Sequence, residues 1–319
     1  MVRAVLVGLG ALVVLGVPGC GGENAALDGA AYTGRQDRAV VSPQNAPDLF
    51  SYAWDHGTIP ARLTGSSKPD AGSGVGPWWL AAVMPDPLLL HFKGVREEGG
   101  DTTAVERIVY GSGGGVLRLA GSFYADGTGR MATTFEGFDQ GDGLTVDGVA
   151  EYEIVSVDAV TREITHLIIH LTDLSVFGQG EDTVVGGRIT LRVAADGNWV
   201  NTVLDLDGRD HRRDEAFRYR DFSSDSENRG VEGVYQTLTG ELFVGRYGGV
   251  SVVTLAPLVD VGGGAPGSGG PVLGIGLGQT AFRVFPEAAG NALVEVDGDG
   301  DGGFDYRERM PWQDLVARD

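Results

Sequence analysis

Near the C-terminal end of the chain, "VEVDGDGDGGFD" places Asp297, Asp299 and Asp301 at alternate positions, with Asp305 and then Glu308 just beyond. Several carboxylates crowded into a glycine-rich turn repel one another, and only full solvation or a bound cation relieves that. Oxygen-only ligands on a flexible loop suit a hard cation, calcium above all. Counted from Asp297 as position 1, Asp299 is 3, Asp301 is 5, Gly302 is 6, Gly303 is 7, Asp305 is 9 and Glu308 is 12.

This spacing resembles an EF-hand loop, and the resemblance covers those twelve residues. It implies calcium held by Asp297, Asp299, Asp301, the Gly303 carbonyl, Asp305 and Glu308, with a glycine at the sharp turn. The flanking sequence departs from that family. "NALVEV" before the loop reads as a strand, and Pro311 follows it closely, so the two EF-hand helices are missing. A strand after Asp305 would carry Glu308 away from the ion. The expected role is structural: calcium fastening a C-terminal β segment.

Other chemistry is weaker. "PGSGGPV", Pro266 to Val272, superficially resembles the serine loop of trypsin-like proteases, but Gly267 stands where an Asp belongs and no segment supplies a positioned base. His166 and His170 sit four apart in a strand-like run, about 13 Å along it at ~3.3 Å per residue, too far for one zinc ion. In "LDLDGRDHRRDEAFRYRD", Leu204 to Asp221, Asp205 and Asp207 could ligate a cation, yet Arg209 takes the next alternate position. That run reads as a strand, a solvated turn and a charged edge strand. Trp78, Trp79 and Trp199 could stack on sugars, against a default of core burial. Paired carboxylates for glycoside hydrolysis could hide among the 44 acids, but sequence spacing does not reveal a pair brought together in space.

The start of the chain speaks to address. "MVRAVLVGLGALVVLGVPGC" has one Arg, an apolar run from Ala4 to Val17, and Cys20, the single cysteine of the 319 residues. The run is too short to span a bilayer as a helix and has the length of a signal-peptide core. Val17-Pro18-Gly19-Cys20 resembles the lipobox of bacterial lipoproteins, which implies cleavage before Cys20, its lipidation, and membrane attachment through it. Gly21 after the cysteine implies the outer membrane if the source is Gram-negative. With one cysteine, disulfides cannot stabilise the fold. A formal charge of -20 works against nucleic acid or anionic lipid as partners.

The elements that must position these residues are strands. The apolar period is two in "EITHLIIHLTD", "GGRITLRV" and "GVAEYEI", with one face apolar and one wet. Turn signals at "ADGTG" and "ADGN" separate such runs, and the 53 glycines fit many tight turns. Two pairs of segments share a grammar: "GSFYADGTGRMATT" with "GELFVGRYGGVSVVT", and "VDGVAEYEI" with "VGGRITLRV" 39 residues on, read as repeated hairpins. One short helix is expected in "NAPDLFSYAWDHG", capped by Asn45, ended by Gly57, with Leu49, Phe50, Ala53 and Trp54 as its apolar face.

The sequence therefore predicts an all-β fold, an antiparallel meander of hairpins forming a barrel or sandwich. Residues 1–19 read as a lipoprotein signal peptide, 20–35 as a flexible tether and 36–260 as the β domain. Residues 261–319, after the glycine-rich "VGGGAPGSGGP", form a C-terminal β segment carrying the acidic loop. The general texture resembles glycine- and aspartate-rich β lipoproteins of bacteria, a resemblance that transfers no activity. The expectation is a lipid-anchored envelope protein with a non-catalytic binding or structural role and a structural calcium site. Its expected partners are the membrane and an envelope protein or glycan. Two alternatives are a secreted hydrolase of polysaccharide or peptide and an assembly or adhesion factor that pairs an exposed strand edge.

Overall fold

The computed structural model describes residues 31–55, 102–139, 141, 143–178, 181–262 and 265–316. Cys20 and the signal-like core, Gly57, Trp78, Trp79, His91 and the loop 64–77 lie outside the described residues.

Period-two alternation folds as expected. Strands β1 (Thr102–Tyr110), β2 (Gly114–Tyr124), β3 (Gly129–Asp139), β4 (Thr145–Val157), β5 (Ile164–Gly178), β6 (Glu181–Val193), β7 (Trp199–Asp210), β8 (Glu215–Asn228), β9 (Val234–Val244) and β10 (Gly248–Thr254) each pair antiparallel with the next. The first grammatical repeat is a pair of hairpins, β2–β3 and β9–β10; each copy of the second is a single strand, β4 and β6, with β5 between them. Ala150, Tyr152 and Ile154 of β4, Leu167, Ile169 and Leu171 of β5, and Ile189 and Leu191 of β6 turn inward. Burying each large side chain among them contributes roughly 1.5–3 kcal/mol.

After β10, the short β11 (Leu258–Asp260) also pairs with β9. Then β12 (Val272–Ile275) seats on β10, followed by β13 (Ala281–Glu287), β14 (Asn291–Asp297) and β15 (Tyr306–Pro311). The glycine-rich connector thus does not separate one sheet from another. Val272, Phe282, Val284 and Val294 join the same buried cluster as Leu204 and Leu242. β1 and β15 are the ends of the order, so the sheet is open and not closed into a barrel.

Strict alternation fails along one line across the sheet. In β3, β5 and β8 two residues face one on each neighbouring strand, at Gly137, Asp173 and Asp221. All three adopt left-handed φ, at 57°, 45° and 44°. These are β-bulges, and the extra residue resets which side chains point inward. Buried Leu171 is followed by buried Leu174, and Tyr219 by Phe222. On the partner strands the line passes Gly148, Gly187 and Gly240, with φ of 113°, 131° and 138°. The 39-residue recurrence of "VDG" and "VGG" marks Gly148 and Gly187, two positions on this line.

Charge density in 204–221 misled the sequence reading. The run forms β7, a turn and the start of β8, and both strands are interior, between β6 and β9. They are not an edge. Arginines make this possible: Arg218 forks onto Asp207 at 2.6 and 2.7 Å, and Arg188 reaches Asp205 at 2.7 Å. The N-terminal strap is also packed before residue 36. Tyr32 is buried, its hydroxyl donates to the Arg35 carbonyl, and the Arg218 guanidinium lies 4.6 Å over its ring.

Helix α1 (Ala46–Asp55) forms where expected. The Asn45 carbonyl accepts the Leu49 N–H, but its side chain works backwards, accepting from Ser42 N and donating to the Val40 carbonyl. Leu49, Phe50, Ala53 and Trp54 are buried, and so is Tyr52, whose ring meets Phe217 and the Arg213 guanidinium, while a second helix packs on the Phe50 and Trp54 side. That helix, α2 (Trp312–Val316), has only five residues and follows Pro311. Trp312 sets its ring edge-on to Phe50 and Trp54, with centroids 5.5 and 5.0 Å apart. Ser51 donates to the Val316 carbonyl, and Tyr219 to the Tyr52 carbonyl. Helices this short do not persist alone in water, so packing holds both.

The line of bulges yields a test. A Cβ on Gly187 would lie 2.2 Å from the Asp205 carbonyl at a backbone angle that L residues avoid, whereas one on Gly298 meets nothing within 4 Å. Gly187→Ala should destabilise the protein by about 1–3 kcal/mol in urea unfolding, and Gly298→Ala by less than about 0.5.

Candidate functional site

The acidic loop joins β14 to β15. Val296 pairs with Tyr306, so residues 297–305 project from the hairpin end. Asp297 ends β14 and is only 2% exposed. Its two carboxylate oxygens accept the Gly300 and Gly302 N–H groups at 2.7 and 2.8 Å. Those bonds require a tight reversal, and Gly300 and Gly302 supply it with φ of 76° and 89°. Gly300 also lies against the Gly278 carbonyl, where a Cβ would come within 2.1 Å. Further along, Asp299 accepts from Asp301 N at 3.3 Å and Asp301 from Gly303 N at 2.6 Å. The glycines at positions 4 and 6 are therefore requirements of the loop backbone.

This winding gathers one carboxylate oxygen each from Asp297, Asp299 and Asp301 within 4.8 Å of one another. No arginine pairs with any of the three among the described residues. The bases nearby are committed elsewhere. Arg307 sits 2.9 Å from buried Glu295, Arg283 also pairs with Glu295, and the Arg283 guanidinium lies 3.9 Å over the Phe304 ring. Three like charges stand together with backbone amides as their only described partners.

The other two expected carboxylates fall outside this group. Glu308 lies in β15 opposite Val294, exposed, and accepts the Tyr306 hydroxyl at 2.6 Å. The strand does carry it off, as the flanking sequence implied. Asp305 closes the loop just before β15, with a carboxylate oxygen 3.8 Å from where a Gly303 Cβ would be.

The remaining candidates separate cleanly. His166 and His170 share the wet face of β5, opposite Arg192 and Arg188 of β6. Burial, and next Arg192, hold the His166 imidazole below its usual range. Neither histidine joins a metal-type cluster among the described residues. Ser268 bridges β11, its carbonyl accepting from Val259 N, and so lies in a connector. Asp205 and Asp207 are taken by arginines as above. Trp54 and Trp312 are core residues, and Trp199 is 36% exposed at the start of β7. Sequence reasoning did not foresee the buried Glu295–arginine group or α2; no periodic signal marks either.

Compared with family models, with curated proteins and with solved structures, the chain finds no match.

Proposed function

We propose that the protein is a lipid-anchored envelope protein of binding or structural role, whose β14–β15 loop holds a structural calcium ion. The observation that carries the ion is the triad of Asp297, Asp299 and Asp301 oxygens within 4.8 Å, with no side-chain cation on them among the described residues. An oxygen-only, loop-borne set suits calcium better than magnesium, which demands a rigid octahedron, and lacks the nitrogen or sulfur that zinc prefers. An ion there ties the first half of the loop to the end of β14 and offsets the repulsion of the triad. Its place at a hairpin end, away from any nucleophile–base pair among the described residues, supports a fastening role over a catalytic one. Anchorage rests on the short apolar run ending at Cys20, and the net charge of -20 supports an exported surface that avoids nucleic acid.

Calorimetry and thermal unfolding with calcium test the ion. Binding should appear by millimolar calcium, as in extracellular modules, and raise stability by about 2.7 kcal/mol at a hundredfold excess over Kd. The double substitution Asp299→Ala and Asp301→Ala should abolish both effects. Glu308→Gln should leave them within about twofold, because Glu308 is held by Tyr306 in β15. Neither heat nor stabilisation in the wild type would reduce the loop to a turn.

Anchorage has its own test. Wild-type protein should take up labelled palmitate and sediment with membranes, and Cys20→Ala should block processing or release the protein. Soluble, unlabelled wild type would contradict the lipoprotein reading. Stable attachment presumes more than one acyl chain, since a single chain binds only marginally.

A further inference from the structure

Trp199 opens β7 beside Glu227 of β8, and Glu227 lies beside Tyr235 of β9. A second row runs Asn201, Asp225, Thr237 across the same strands. Residues two apart in a strand share a face, so both rows lie on one side of the sheet. Trp199, Asp225, Glu227, Tyr235 and Thr237, together with Arg229 and Pro257, line a cleft of about 170 Å³. Clefts for drug-sized molecules run to roughly 300–1,000 Å³, so this one suits a single ring.

The polar groups are already arranged. Arg229 donates to Glu227 at 2.7 Å, and its guanidinium lies 4.1 Å over the Tyr235 ring. Asn201 donates to Asp225 at 3.1 Å and to Ser223 at 2.9 Å. Arg229 thus occupies the Tyr235 face and balances Glu227, which leaves little attraction for a cationic ligand. What stays open is the Trp199 indole, which stacks on no other ring among the described residues. Around it stand a hydroxyl and fixed planar groups: two carboxylates and a guanidinium.

That combination matches a neutral sugar. One face of a pyranose presents C–H groups with partial positive charge, which meet the negative face of an aromatic ring. Its vicinal hydroxyls each donate and accept, so a carboxylate beside a guanidinium satisfies them in pairs. We propose that this cleft is a saccharide-binding subsite, which seats one neutral sugar ring on Trp199 with its hydroxyls on Asp225, Glu227 and Arg229. Glycoside hydrolysis needs one carboxyl of a pair kept protonated, and Arg229 beside Glu227 holds the Glu227 carboxyl below its usual range, which makes Glu227 a poor candidate for that acid. This site stands apart from the calcium loop and does not rest on it.

The test is titration of the full-length protein in detergent with two probes, the β-1,4 hexamers of glucose and of N-acetylglucosamine, read by tryptophan fluorescence and calorimetry. At least one hexamer should bind with Kd near or below about 1 mM. Trp199→Ala should weaken it about tenfold or more, and Trp199→Phe, which keeps a ring face, should retain most of the affinity. Circular dichroism should be unchanged in both, since Trp199 is partly exposed. Failure of both hexamers to bind wild type, equal binding by Trp199→Ala, or binding of tetramethylammonium in place of sugar would each overturn the proposal.

Discussion

A backbone N–H that loses its strand partner must find another acceptor, and in this protein an aspartate repeatedly supplies it. The bulge at Gly137 is held by Asp147, whose carboxylate accepts the Gly137 N–H at 2.6 Å. The bulge at Asp221 is held by Asp205, which accepts the Asp221 N–H at 3.0 Å. Turns follow the same rule. Asp126 takes Thr128 N, Asp158 takes Val160 and Thr161 N, Asp196 takes Asn198 N, and Asp260 takes Gly262 N. A long meander interrupts its own ladder at every hairpin and bulge, and each interruption left unsatisfied would be costly. The excess of aspartate and glycine in the composition is the chemistry of those interruptions.

The acidic loop is the densest instance of this rule. Asp297 captures two amides, Asp299 and Asp301 one each, and the windings that satisfy the backbone also bring three carboxylates together. Elsewhere the carboxylates face arginines: Asp207 with Arg218, Glu215 with Arg246, Glu295 with Arg283 and Arg307. Among the described residues no arginine pairs with Asp297, Asp299 or Asp301.

Stretches of unbroken alternation were legible in the sequence, as at Ala150, Tyr152 and Ile154 of β4 and Ile189 and Leu191 of β6, which face the core. The bulges were not, because one extra residue at Asp173 or Asp221 reverses the pattern and resembles noise in a short window. The charged run 204–221 looked like an edge because sequence shows the acids and bases but not their pairing across β7 and β8. α2 escaped notice because five residues after a proline carry no helical period; a tertiary contact, Trp312 against Phe50 and Trp54, holds it. At the loop, alternate spacing does bring the Asp297, Asp299 and Asp301 carboxylates together, while the place of Glu308 was set by the strand that follows. For Trp199 the residue type was visible, but its neighbours Asp225, Glu227 and Tyr235 come from two other strands.

The aspartate–amide bonds also set the direction in which pH acts. Bonds from Thr128 to Asp126, from Thr161 to Asp158 and from Asn198 to Asp196 hold these carboxyls below the ordinary aspartate value of 3.8. A carboxyl depressed in the folded state makes that state bind fewer protons than the unfolded chain. Its contribution is therefore whole above the ordinary value and lost as pH falls through the depressed ones. Net charge argues the other way: if repulsion within a chain of charge -20 dominated, neutralising its acids would stabilise it. Urea unfolding from pH 7 down to about pH 2.5 decides between them. If aspartates hold the interrupted ladder, stability falls as pH drops below the ordinary aspartate value of 3.8 and unfolding takes up protons. A midpoint that stays level or rises across that range would contradict the account.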